Sequence, residues 1–142
     1  MPCLHIASDH AGFALKTALG RRLADLGHNI VDDGTYSDES CDYPVFAHKL
    51  CAAVENSDCL GILICGTGTG MSMAANRHPG IRAALCATEL HARLARNHND
   101  ANVLCLGARI TGVELAFAIV ESFLAARFEG GRHQQRLDLL KG

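Results

Sequence analysis

Three short stretches of the sequence concentrate side chains able to move protons or hold anions: Ser8-Asp9-His10, Cys65-Gly66-Thr67-Gly68-Thr69-Gly70 and His98-Asn99-Asp100. Glycines at alternate positions after an apolar run let the backbone turn tightly and aim several N–H groups at one point, which suits a phosphate or an oxyanion. The loop is not a dinucleotide fingerprint, because position 71 is Met, and it lacks the Gly-Lys-Ser/Thr ending of a P-loop. A turn that merely packs a helix onto a strand is the plain alternative. Cys65 adds chemistry to it. At the end of an apolar run and the start of a helix, the helix dipole and converging amides favour a thiolate over a thiol. On local sequence alone, a reactive thiol and one more core cysteine are equally supported. His98-Asn99-Asp100 also reads as an ordinary turn, and His10 as an imidazole satisfied by a nearby carbonyl.

Other chemistries find less support. The eight histidines form no HxH, HxxxH or HExxH pattern and are not accompanied by a carboxylate pair, so no metal site is expected. The nucleophile elbow G-x-S-x-G is absent. The seven cysteines, at 3, 41, 51, 59, 65, 86 and 105, include no CxxC and lie mostly in apolar runs, so they read as reduced thiols.

The elements that must position these stretches follow from patterning. Short β-branched apolar runs alternate with amphipathic ones, the signature of βα units on a parallel sheet buried on both faces. Strands are expected at about Cys3–Ala7, Asn29–Asp32, Leu60–Cys65, Ile81–Leu85 and Val103–Leu106. A first helix over about Gly12–Leu26 carries Leu15, Leu19, Leu23 and Leu26, with Gly27 as its stop. A second starts after Asp42, with Pro44 in its first turn, and runs to about Asn56. A later one opens at Thr111-Gly112-Val113-Glu114, which has capping-box spacing. After Gly130-Gly131, a polar tail would, if helical, point Arg132 and Arg136 the same way. In such a sheet, ligands bind beyond the carboxyl ends of the strands.

The chain of 142 residues fits one domain, able to bury roughly two-thirds of its unfolded surface. At 49% hydrophobic and 20% charged it is ordinary globular material. A net charge of −2 leaves no basic surplus for a nucleic-acid backbone. No window resembles a membrane span or a signal peptide, so no membrane partner is expected and the cytoplasm is the default location.

Seven separated segments, taken together, resemble the type B ribose-5-phosphate isomerases. They are Ser8-Asp9-His10-Ala11-Gly12, Asp42-Tyr43-Pro44, Ile64 through Ser72, Ala74-Ala75-Asn76, Gly80-Ile81-Arg82-Ala83, His98 through Asn102, and Glu129-Gly130-Gly131-Arg132-His133. The resemblance runs from the first strand to about Leu137. It implies a three-layer αβα sandwich, Rossmann-like, with a five-stranded parallel sheet. It also implies homodimers whose active sites combine both subunits, with tetramers left open and the tail of about 130–142 packed at the dimer interface. By this resemblance Cys65 is the base that moves a proton between C2 and C1 of an open-chain sugar phosphate, and no cofactor is needed. The amides of Gly66, Thr67, Gly68, Thr69 and Gly70, with the Thr67 hydroxyl, would stabilise the enediolate oxygen. His98 would assist ring opening, Asp9 and Asn99 would hold sugar hydroxyls, and His10, Arg109, Arg132 and Arg136 would grip the phosphate. One branch of the family carries a glutamate where this chain has Met71, so Cys65 and Met71 agree on the thiol branch.

Rival readings remain. Allose-6-phosphate and galactose-6-phosphate isomerases share the scaffold, and sequence does not measure the distance from glycine loop to arginines. A non-catalytic nucleotide- or flavin-binding module fits the fold class but lacks the fingerprint. A thiol redox sensor would need a resolving cysteine near Cys65, and none is close in sequence.

Overall fold

A computed structural model describes residues 2–142. Five strands alternate with helices: β1 (Leu4–Ser8), α1 (Phe13–Asp25), β2 (Ile30–Asp32), α2 (Tyr43–Val54), β3 (Leu60–Cys65), α3 (Thr69–Ala75), β4 (Ala83–Leu85), α4 (Glu89–Asn99), β5 (Val103–Gly107), α5 (Val113–Ala125) and α6 (Arg132–Asp138). All pairings are parallel, in the order β2-β1-β3-β5-β4. The expected five-stranded parallel sheet is therefore present.

Side chains alternate across the strands, and the core divides accordingly. Leu4, Ile6, Ile62, Ile64, Leu104 and Leu106 pack with Leu15, Leu19 and Leu23 of α1, Ala92 and Ala95 of α4, and Ile119 and Phe123 of α5. On the other face Ala7, Leu63, Cys65, Val103 and Cys105 meet Ala47, Leu50 and Val54 of α2 and Met71 and Ala75 of α3. These are the three layers of the αβα sandwich, and the period of two along each strand is what makes two helical layers necessary. Among the described residues, no helix is long and apolar enough to cross a membrane.

Helix ends follow local chemistry in part. Gly27 takes φ of 91°, and the N–H groups of Gly27 and His28 donate to the carbonyls of Ala24 and Leu23, closing α1. Pro44 lies in the first turn of α2. The capping box expected at Thr111 does not form: α5 starts after Gly112 with no side-chain cap, and buried Thr111 instead donates its N–H to the Gly107 carbonyl. β4 starts at Ala83 rather than Ile81. Ile81 closes a turn onto the His78 carbonyl, and the N–H of Arg82 is taken by the Asn102 side chain.

The cysteine expectation needs one correction. Cys3 and Cys59 form a disulfide, with Cα atoms 4.8 Å apart. Leu4 pairs with Leu60 across β1 and β3, so the residues preceding each strand face one another at the amino edge of the sheet. The other five cysteines are free thiols.

Candidate active site

Strand order reverses direction at β1 and β3: the chain adds β2 on one side of this pair and β5 and β4 on the other. The loops leaving the carboxyl ends of β1 and β3 diverge there and leave a crevice. Ser8-Asp9-His10 follow β1, and Cys65 with the glycine loop ends β3. Asp9 is buried. Its N–H donates to the Ile64 carbonyl, and its carboxylate accepts the Gly12 N–H at 3.1 Å. His10 Nδ1 accepts the Cys41 N–H at 3.2 Å.

Cys65 is 5% exposed, and its Sγ accepts the Gly68 N–H at 3.2 Å. Gly68 adopts φ of 82°, a left-handed conformation that lets the chain double back so that its N–H reaches the residue three positions earlier. At Gly70, a Cβ would come within 2.6 Å of the Tyr43 ring, so the aromatic face of α2 closes directly on the loop backbone. The Thr67 hydroxyl accepts the Thr69 N–H at 3.3 Å. Met71 is fully buried, committed to packing.

β5 completes this edge. The N–H groups of Ala108 and Arg109 donate to the carbonyls of Cys65 and Gly66, and the Arg109 guanidinium lies against Gly66, where a Cβ would be 3.1 Å from it. A single chain thus gathers Asp9, His10, Cys65, the loop Gly66–Gly70 and Arg109 at the carboxyl edge.

Behind this edge, Lys16 is almost completely buried, its ammonium donating to both oxygens of Asp32 at 2.6 Å. Asp32 also accepts the Gly34 N–H, the Gly34 carbonyl accepts the Ser8 N–H at 2.7 Å, and Thr35 N–H donates to the Ser8 carbonyl at 2.8 Å. The ion pair therefore fixes the loop that holds the end of β1 next to Asp9. Nothing in the amino-acid pattern signals this, because a lysine on an amphipathic helix reads as solvent-facing.

The other expected residues lie elsewhere. His98 and Asn99 end α4, ahead of β5, at the amino edge of the sheet. The length of β5, ~13 Å from the first residue to the last, separates that edge from Cys65. Arg132 and Arg136 are on α6 beside them. A cavity of about 250 Å³ is lined by His98, Asn99, His133 and Arg136 with Leu137 and Leu140. A larger one, about 930 Å³, runs from Asn76 and Arg82 past Asn99 to Leu137 and Leu140. Cys65 lines neither.

Glu129 and His133, given no role from sequence, join this second group. The His98 and His133 rings stack with centroids 4.4 Å apart, and Glu129 Oε1 lies 3.5 Å from His133 Nε2 and 4.0 Å from His98 Nε2. The Glu129 N–H donates to the Asn97 carbonyl, tying the loop to the end of α4. In the sequence, the signals for this pair were their i, i+4 spacing and their place in one of the segments that carry the family resemblance.

The cysteines differ in environment. Burial pushes Cys51 up to about 12, with Glu55 adding to it, and burial pushes Cys86 up to about 11. Cys105 is held well above the ordinary thiol value by burial and by neighbouring thiols.

Comparison with known proteins finds relatives along nearly the whole chain. The profile of the family described as Ribose/Galactose Isomerase matches residues 4–140. The sequence is 48% identical over 133 residues to ribose-5-phosphate isomerase B of Escherichia coli, covering 93% of this chain and 89% of that protein. The structure superposes on a ribose 5-phosphate isomerase of Thermotoga maritima with a TM-score of 0.93 at 52% identity, covering 96% of this chain and 95% of the other. It also matches ribose-5-phosphate isomerase B of Mycoplasma genitalium with bound ribulose-5-phosphate, with a TM-score of 0.91 at 48% identity over 95% of this chain and 91% of that one.

Proposed function

This chain belongs to the ribose/galactose isomerase family, and from that premise we propose that it interconverts D-ribose 5-phosphate and D-ribulose 5-phosphate. The observation that carries the chemistry is the Gly68 amide on the Cys65 sulfur, inside a loop whose backbone faces the same crevice as Asp9 and Arg109. As thiolate, Cys65 takes the C2 proton of the open-chain aldose. The electrons of that C–H bond form the C1–C2 double bond of an enediolate, and charge develops on O1. The O2 hydroxyl proton then passes to O1 and the proton held by sulfur returns to C1, so that O1 ends as a hydroxyl and O2 as the ketone. Loop amides and the Thr67 hydroxyl stabilise the developing oxyanion, an effect worth ~10²-fold or more per donor. Every step moves protons only.

A single chain holds the thiol and lacks the imidazole within reach of it. We infer a homodimer in which His98, Asn99, Arg132 and Arg136 of one subunit meet Cys65, Asp9, His10 and Arg109 of the other. Ile110 at the carboxyl edge is 66% exposed, and Leu139 and Leu140 at the amino edge are 73% and 69% exposed, as expected of apolar surface that a second copy covers. His98 opens the sugar ring, and the arginines with His10 hold the phosphate, so that its binding energy positions the reacting carbons.

The test is complementation. Cys65→Ala and His98→Gln should each be inactive alone. Unfolded together and refolded at equal amounts, they should recover about one quarter of wild-type activity, because half the dimers are mixed and each mixed dimer has one intact site of two. No recovery, with mixed dimers demonstrated, would remove the shared site. Turnover of a six-carbon phosphate exceeding that of ribose 5-phosphate would move the substrate assignment to allose or galactose 6-phosphate.

A further inference from the structure

The imidazole group at the amino edge has a property the isomerase reaction does not use. His133 is 93% buried by its 7% side-chain exposure, and its Nε2 has no hydrogen-bond partner. That nitrogen points toward Glu129, and one ligand atom from each of His98, Glu129 and His133 lies within 4.8 Å of the others. In a tetrahedral zinc site with metal–ligand bonds of about 2.0–2.1 Å, ligand atoms are roughly 3.3 Å apart. The 3.5 Å between Glu129 and His133 already matches such an edge, and the half-exposed His98 ring, 4.0 Å from Glu129, must turn out of its stack with His133 for its lone pair to meet the same ion.

We propose that His98, Glu129 and His133 bind a zinc-class divalent cation, and that occupation of this site inhibits the enzyme reversibly by engaging the His98 imidazole. Two imidazoles and one carboxylate are a donor set that borderline transition ions prefer and that magnesium does not. The Glu129 backbone bond to Asn97 and the α6 helix hold two of the ligands before any ion arrives. Arg132 and Arg136 are close enough to weaken a cation, so affinity should be micromolar rather than that of a closed structural site. Three protein ligands leave a fourth position open to water or a sugar oxygen. The site itself stands on geometry, and its inhibitory effect rests on the role given to His98 above.

The experiment uses the full-length, reduced, chelator-stripped protein and zinc itself, with a competing chromogenic indicator reporting binding independently of turnover. About one zinc per chain should bind, with no binding of magnesium at millimolar concentration, and Glu129→Gln and His133→Gln should each weaken zinc about tenfold or more. Turnover should fall over the same zinc range, return on adding EDTA, and resist zinc about tenfold better in Glu129→Gln. Absence of stoichiometric binding would overturn the site. So would binding that survives Glu129→Gln and is lost instead in Cys65→Ala. Binding without loss of turnover would overturn the inhibition while leaving the isomerase assignment intact. Failure of that assignment would show separately, as no turnover in zinc-free protein.

Discussion

The two edges of the sheet are built differently. At the carboxyl edge Cys65 is 5% exposed, and its sulfur's partner is the backbone amide of a left-handed glycine, in a loop held by an aromatic ring from α2 and by the amides of Ala108 and Arg109 just after β5. At the amino edge, His98 is 38% exposed in its side chain, and the arginines lie on a helix of seven residues reached through two glycines with positive φ. The first group is fixed by packing that the fold must make anyway. The second is a set of long side chains on helix ends, close to one another but short of a partner. Precision is needed where the proton moves, and reach where a charged ligand is captured across to another subunit.

The largest effect that should expose this difference is Cys65→Ala, which removes the proposed base: kcat should fall ~10³-fold or more while the thermal midpoint changes little. Retained turnover, measured by ketose formation, would end the contrast. Gly68→Val comes next, since a β-branched residue at φ of 82° is strained by ~1–3 kcal/mol and must displace the amide from sulfur. Turnover should drop ~10²-fold together with a lower melting temperature, marking the carboxyl edge as the place where stability and activity are coupled. Arg136→Met should do the opposite, raising KM and lowering kcat by roughly tenfold with the melting temperature unchanged, because an exposed side chain is lost and no packing with it. A destabilised Arg136→Met protein would blur the distinction.

The smallest effect concerns the core between the edges. Burial raises the Cys86 thiol from 9.0 to about 11, so the fold favours its protonated form. That contribution is complete below pH 9 and is lost as pH rises through about 11. Cys86→Ala should therefore flatten the decline of stability across this window in chemical denaturation, whatever its effect at neutral pH.

Much of the scaffold was legible in the sequence. β3 and β5 read correctly because a strand buried on both faces is a continuous apolar run, and α1 because its leucines repeat with the helical period. β4 was read two residues too long because Ile81 is buried like a strand residue while its backbone turns. The Thr111 cap failed because the Gly107 carbonyl captured the Thr111 amide and burial removed the hydroxyl from solvent. The Cys3–Cys59 disulfide spans 56 residues of sequence, and only the pairing of β1 with β3 brings its ends together. For the site, motif spacing identified the residues but carried no distance. Nothing in His98-Asn99 reveals that a whole strand intervenes before the edge where Cys65 lies, and nothing in Lys16 reveals its burial against Asp32.

Because all five strands point the same way, each molecule is polar, with the candidate thiol at one pole and His98, Arg132 and Arg136 at the other. A two-fold axis running along the strands would set like pole beside like pole and leave both centres half-built. An axis perpendicular to them turns one copy head to tail against its mate, so that a single rotation completes two centres at once. In the proposed dimer, dilution below its dissociation constant should then extinguish both centres together, since neither half can work after the molecules part.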